Sequence, residues 1–206
     1  MPEIRPYRPS DRDAVADICV RTADNGGDSR SLYPDLDLMP TLFALPYAEL
    51  EPDYAFVLTD ADHPVGYILA TPDTPTFARR LRTEWLPRVA DRYPPLTGPP
   101  TTPTEQMISL LHNPERLVIP EVAAYPAHLH IDLLPTHQGA GHGRALMTTL
   151  LKALAAANVP AIHLTMLTSN TPARAFYDRL GFHHIPVPNT DLVTYLGRTT
   201  RTAGDR

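Results

Sequence analysis

Leu133-Leu134-Pro135-Thr136-His137-Gln138-Gly139-Ala140-Gly141-His142-Gly143-Arg144 is the stretch that decides how this chain reads. An apolar run stops at a proline, a glycine-rich turn follows, and a helical pattern begins at once. Gly139, Gly141 and Gly143 let the main chain approach a ligand closely. The first N–H groups of a helix have no partner inside it, and its dipole favours an anion there. The turn is therefore suited to holding a diphosphate through its backbone, with Arg144 adding charge. Glycine turns of this kind also arise for packing alone. No Lys-Ser or Lys-Thr pair follows the glycines, which argues against a nucleotide P-loop. The turn lies near residue 140 and after a hairpin, which argues against a dinucleotide site in a first βαβ unit.

Working outward, Ile4 to Arg8 predicts a short strand and Ser10 or Asp11 an N-cap. Val15, Ile18, Cys19 and Thr22 then form one helical stripe. Asp24 to Ser29 is a loop, and a helix is expected around Thr41 to Glu49. Tyr54–Thr59 and Val65–Ala70 predict a hairpin around the turn 60–64. Phe77 to Arg92 predicts a helix that Pro87 kinks or ends. The proline-rich stretch Tyr93–Thr104 reads as a loop, and 104–112 as a short helix. After the turn, Gly141–Ala157 is a strong helix and Ala161–Leu167 a strand. Asn170-Thr171-Pro172 opens a helix that Gly181 closes. Two closing strands, 182–187 and 192–196, complete the chain. This order predicts an α/β (α+β) fold, a mixed sheet flanked by helices.

The chain has 206 residues, enough for one domain with an insertion. It is 43% hydrophobic and 20% charged, which supports a packed core. A net charge of -5 argues against a nucleic-acid partner. The single cysteine, Cys19, excludes an internal disulfide and suits a cytoplasmic setting. Residues 1–10 lack the apolar run of a signal peptide, and no segment has the length of a membrane span, so no membrane partner is expected. The 24 prolines are about twice the usual share, and five fall between 94 and 103.

With these residues in place the chain resembles the GNAT acetyltransferase superfamily. Its diphosphate loop matches at Gln138, Gly141 and Gly143; the later Asn at Asn170; and the Tyr-to-Gly-Phe segment at Tyr177 through Phe182. A narrower resemblance, over roughly residues 54–197, is to the acetyltransferase-like C-terminal domain of O-GlcNAcase and related stand-alone bacterial acetyltransferase-like proteins. It rests on Tyr54–Asp60, Val65–Asp73, Phe77, Trp85, Tyr93-Pro94, Tyr125-Pro126 and Asp132. The animal domain has a degenerate cofactor loop, whereas this chain keeps Gln138, Gly141 and Gly143.

The resemblance implies a GNAT fold spanning 1–206, with a mostly antiparallel sheet of about seven strands. A helical insertion at about 74–120 precedes the cofactor-binding strand, and a flexible tail is expected at 198–206. It implies transfer of an acetyl group from acetyl-CoA to an amine in a ternary complex. The acceptor is a small-molecule amine or a peptide or protein amine. Leu133, Leu134, Gln138, Gly139, Ala140, Gly141, His142, Gly143, Arg144, Asn170 and Tyr177 would bind the cofactor, with the Leu133 N–H as oxyanion donor. Tyr177 would protonate the leaving thiolate; without the resemblance it reads as a packed aromatic.

Asp132 would bind or deprotonate the amine, and reads equally as a structural carboxylate. Asp73 and Trp85 are further acceptor-side residues, Asp73 as a second base and Trp85 equally as a core residue. His128 and His130 share a strand face with Asp132 but have no third ligand, so no metal is expected. The arginines at 79, 80, 82, 88 and 92 form a solvated helix face, with the CoA 3′-phosphate as one acidic group they face. The alternative is a catalytically inactive module that binds acetyl-CoA or a peptide or protein ligand. A monomer or homodimer is expected.

Overall fold

A computed structural model describes residues 2–201. Seven strands form one sheet in the order β1-β2-β3-β4-β5-β7-β6. They are β1 Glu3–Pro6, β2 Ala55–Asp60, β3 His63–Thr71, β4 Ala127–Leu133, β5 Ala161–Leu167, β6 His183–Ile185 and β7 Val193–Thr199. All neighbours are antiparallel except β4 and β5, which run parallel. The fold is the mixed sheet flanked by helices that the element order implied.

The β2–β3 hairpin is tighter than the sequence suggested. Asp60 pairs with His63, so the turn is only Ala61-Asp62, both with positive φ (47° and 66°). Such a turn matches the right-handed strand twist. His63 and Pro64 therefore belong to β3. The register slips between Leu58 and Thr59, opposite Pro64 and Val65. A proline has no N–H for the ladder, and a bulge absorbs it.

On one face of the sheet lie α1 Arg12–Val20, α2 Leu38–Phe43 and α3 Leu45–Leu50. The stripe Val15, Ile18, Cys19, Thr22 is buried as its spacing requires. Asp11 does not cap α1. Its buried carboxylate receives both guanidinium nitrogens of Arg5 at 2.7 Å and the Arg8 N–H at 2.8 Å.

The insertion between β3 and β4 carries α4 Thr74–Arg80, α5 Leu86–Val89 and α6 Pro103–Leu111. Pro87 does not end the helix there. Residues Leu81–Trp85 widen into π-helical turns that join α4 to α5. A proline ring crowds the carbonyl four residues back, and widening the turn relieves that contact. The arginines of this segment are largely ion-paired: Arg80 with Glu51 and Glu84, Arg82 with Glu115, Arg88 with Glu49, and Arg92 with Asp35 and Asp37.

The opposite face of the sheet is covered by α7 His142–Ala156, through buried Leu146, Met147, Leu150 and Leu154. α8 Thr171–Arg179 follows β5. Arg198 and Thr199 lie in β7 and Thr200 is buried, so the expected loose tail does not start at 198. Residues 202–206 of that tail, and Met1, lie outside the described residues. No helix among the described residues is long and apolar enough to cross a membrane.

Candidate functional site

β4 and β5 pair only at Ala127–Ile162 and His128–His163. Beyond His128 each strand keeps its outer neighbour, β3 for β4 and β7 for β5, and the two separate. A cleft of about 680 Å³ opens there. Leu129 to Leu133 form one wall and Leu164 to Leu167 the other. Gln138, Gly139, Gly141, Gly143 and Arg144 form its head, and Asn170, Ala173, Phe176 and Tyr177 of the α8 region its flank.

Strand alternation decides which backbone groups face the gap. The Leu134 N–H donates to Val65 O at 2.9 Å, on the β3 side. One residue earlier the direction reverses, so the N–H and C=O of Leu133 point toward the cleft, as do those of Ile131. The Leu133 carbonyl accepts the Gln138 side-chain amide at 2.8 Å, tying the turn back to the strand end. Leu134 is correspondingly withdrawn: it is buried and its N–H is engaged with β3.

The turn is shaped by glycine where glycine is required. Gly141, immediately before α7, has φ 86°. At Gly143 a Cβ would stand 3.1 Å from the Phe176 ring, so α7 and α8 approach through the missing side chain. The opening N–H groups of α7 lie at the head of the cleft, free of intrahelical partners. Ala140 and His142 belong to the same turn but do not line the cleft.

The flank residues play mixed parts. Asn170 Oδ1 accepts the Ala173 N–H at 3.1 Å, so this side chain caps α8 at the cleft edge. Tyr177 is 9% exposed, packed against Phe176 and Phe182, and lines the cleft. Burial first, and the nearby Asp132 carboxylate second, raise its phenol above the ordinary value and keep it protonated.

Asp132 faces the cleft from β4. Its Oδ2 accepts the Tyr67 hydroxyl at 2.6 Å, across the register pair Tyr67–Asp132. Burial raises the carboxyl from 3.8 to about 6, and the hydrogen bond from Tyr67 offsets part of that rise. A group poised there exchanges protons near neutral pH.

Two expected acceptor-side residues are elsewhere. Trp85 is 3% exposed and its Nε1–H donates to Thr41 O at 2.9 Å, which makes it a core residue. Asp73 is an exposed N-cap for α4, accepting the Thr76 N–H at 2.8 Å. Neither lines the cleft. Thr22, Asn25 and Gly26 do line it, from the loop after α1. In sequence, 24–29 reads only as a loop and Tyr67 only as a strand residue.

A second groove of about 450 Å³ adjoins the cleft at Arg144, Arg179 and Leu180. It is lined also by Lys152, Arg198 and Arg201, with no carboxylate among its lining residues. The Arg198 guanidinium donates to Leu180 O. The described residues hold no group of three or more His, Cys, Asp or Glu side chains arranged around a common point.

Comparison with known proteins agrees with this architecture. A profile of the Acetyltransferase (GNAT) family matches residues 107–182. The crystal structure of SsHAT superposes with a TM-score of 0.95 at 60% identity, covering 98% of this chain and 99% of SsHAT. O-GlcNAcase from Mus musculus is 29% identical over 188 residues, 88% of this chain. The chain spans 20% of the length of that relative. The structure of yncA from Salmonella typhimurium with its cofactor acetyl-CoA shares the fold at 14% identity and a TM-score of 0.55, covering 98% and 96% of the two chains. Profile, relatives and sheet topology agree, and the chain belongs to the acetyltransferase (GNAT) family.

Proposed function

We propose that this chain is an acetyl-CoA-dependent N-acetyltransferase acting on an amine, with the whole of 1–206 forming one catalytic domain. The observation that carries this reading is the separation of β4 from β5 beside a glycine-shaped helix start. An unpaired strand edge suits the amide-bearing pantetheine arm, and the α7 N-terminus suits the diphosphate. Gly139, Gly141, Gly143 and Arg144 would hold the diphosphate, with Gln138 bracing the turn. The basic groove at Lys152, Arg179 and Arg198 suits the nucleotide 3′-phosphate better than the ion-paired arginines of 79–92 do.

The chemistry follows from the cleft walls. Asp132 takes a proton from the acceptor ammonium, directly or through one water, freeing the nitrogen lone pair. The amine nitrogen bonds to the thioester carbonyl carbon. The Leu133 N–H, directed into the gap, stabilises the oxyanion that develops on the carbonyl oxygen. As the carbon–sulfur bond breaks, Tyr177 gives its phenolic proton to the departing sulfur, and the proton that the nitrogen sheds in becoming an amide returns to the tyrosyl oxygen, directly or through one water. Products are an amide and free CoA. Asp132 and Tyr177 line the same cleft with opposite protonation preferences, which suits a base and an acid in one turnover.

Calorimetric titration with acetyl-CoA, followed by thiol detection of CoA release against amines, amino acids, polyamines and peptides, tests the reading. Micromolar binding and at least one amine-dependent release are expected. Absence of binding at sub-millimolar acetyl-CoA would remove it. Binding without release from any amine would instead favour an inactive module.

A further inference from the structure

Behind the amine side of the cleft runs a chain of hydrogen bonds that the acetyl-transfer scheme leaves unused. Thr74 Oγ1 lies 2.7 Å from Pro126 O and 2.7 Å from His128 Nδ1. His128 Nε2 is 2.7 Å from the Tyr47 hydroxyl, and that hydroxyl is 3.2 Å from His130 Nε2. Tyr47 and His128 are buried, and His130 lines the cleft.

Donor counting gives this chain one direction. The Pro126 carbonyl only accepts, so the single Thr74 hydroxyl proton points to it. Thr74 Oγ1 must then accept from His128 Nδ1–H. Burial holds His128 and His130 below their ordinary values, so both are neutral. His128 Nε2 is therefore bare and accepts the Tyr47 proton. The Tyr47 oxygen in turn accepts from His130 Nε2–H, which leaves His130 Nδ1 with a free lone pair. That nitrogen has no hydrogen-bond partner among the described residues, and no buried side-chain polar atom among them lacks one, so Nδ1 reaches the cleft. The chain ends on a carbonyl, which cannot take up a proton. It is a lock on a tautomer and not a route for protons.

Resting on the acetyltransferase reading, we infer that His130 Nδ1 and Asp132 together form an acceptor-only seat that selects an ammonium over a hydroxyl. The two residues sit two apart on β4 and so share one face. The neighbouring hydroxyl protons already have acceptors: Tyr67 donates to Asp132 and Thr22 to Ile18 O. An ammonium brings three donors and satisfies both seats. A hydroxyl brings one and leaves a polar atom unpaired. Tyr47, His128 and Thr74 act through His130 and are positioning residues.

Ring ¹⁵N spectra of the free protein, then of its CoA complex titrated with ethylamine or ethanol, test this. The expected spectrum has His130 protonated at Nε2 and bare at Nδ1, with the Nδ1 signal moving on ethylamine but not on ethanol. Tyr47→Phe should give mixed His130 tautomers while CoA affinity stays within about twofold. His130→Asn, which keeps an acceptor near Nδ1, should retain the preference for ethylamine that His130→Ala loses. A proton on Nδ1 of the free protein, or equal response to amine and alcohol, would overturn the inference. The free-protein tautomer is read without CoA, so failure to bind CoA strikes the acetyltransferase reading separately.

Discussion

Tyr67 and Asp132 face each other across β3 and β4, and the phenol donates a 2.6 Å hydrogen bond to the carboxylate. This contact orients the carboxylate, yet burial still raises its pKa from 3.8 to about 6. The native state therefore keeps a proton that the unfolded chain has already lost between those values. Stability falls as pH rises through that window and stays lower above it. The full rise corresponds to at most about 3 kcal/mol.

Asp132→Asn should accordingly raise the melting temperature near neutral pH and make little difference below about pH 4. The same variant should lose about 100-fold or more in kcat. Wild-type kcat/KM should climb through about pH 6 as the carboxyl ionises. Thermal unfolding and rate profiles over the same pH series check both; a variant no more stable than wild type at neutral pH contradicts the desolvation argument.

Tyr177→Phe should leave acetyl-CoA affinity near wild type and lower kcat by about 100-fold, the usual range for a positioned acid. The phenol is held above its ordinary value, so Tyr177 causes no alkaline fall in rate below about pH 10. Equal kcat in the variant, with the same pH profile, removes the acid role.

Gly143→Ala places a methyl group 3.1 Å from the Phe176 ring and 3.4 Å from Leu133. α8 must give way, at a cost of about 1–2 kcal/mol. Denaturant unfolding should show that loss, and acetyl-CoA should bind several-fold more weakly. Unchanged stability would mean that the α7–α8 approach is looser than the geometry indicates.

Arg179→Ala and Lys152→Ala alter the basic groove beside the cleft. Each should weaken CoA about three- to tenfold at low salt, with less effect at high salt, and leave dephospho-CoA unaffected. Equal losses for both ligands would place the 3′-phosphate elsewhere.

Much of this was legible in the chain because the controlling interactions are local. The Gln138–Arg144 turn, the α7 stripe and the Asn170 cap depend on residues within a few positions of one another. The hairpin was legible too, although its two-residue turn and the Pro64 bulge were not. The Trp85 and Asp73 readings had no such local support. Trp85 is buried because it meets Thr41, and Asp73 serves the helix that starts beside it.

Sequence alone carried the resemblance to the family, through the Gln138–Gly143, Asn170 and Tyr177–Phe182 motifs, and the sheet-and-helix order and the glycine turn, since periodicity and backbone capping are properties of neighbours. Only the tertiary structure decided that Tyr67 meets Asp132, that β4 parts from β5 after His128, and that Thr74, His128, Tyr47 and His130 join in one run of hydrogen bonds. Those relationships join residues far apart in the chain. Register, desolvation and donor direction arise only when distant groups share a water-poor interior.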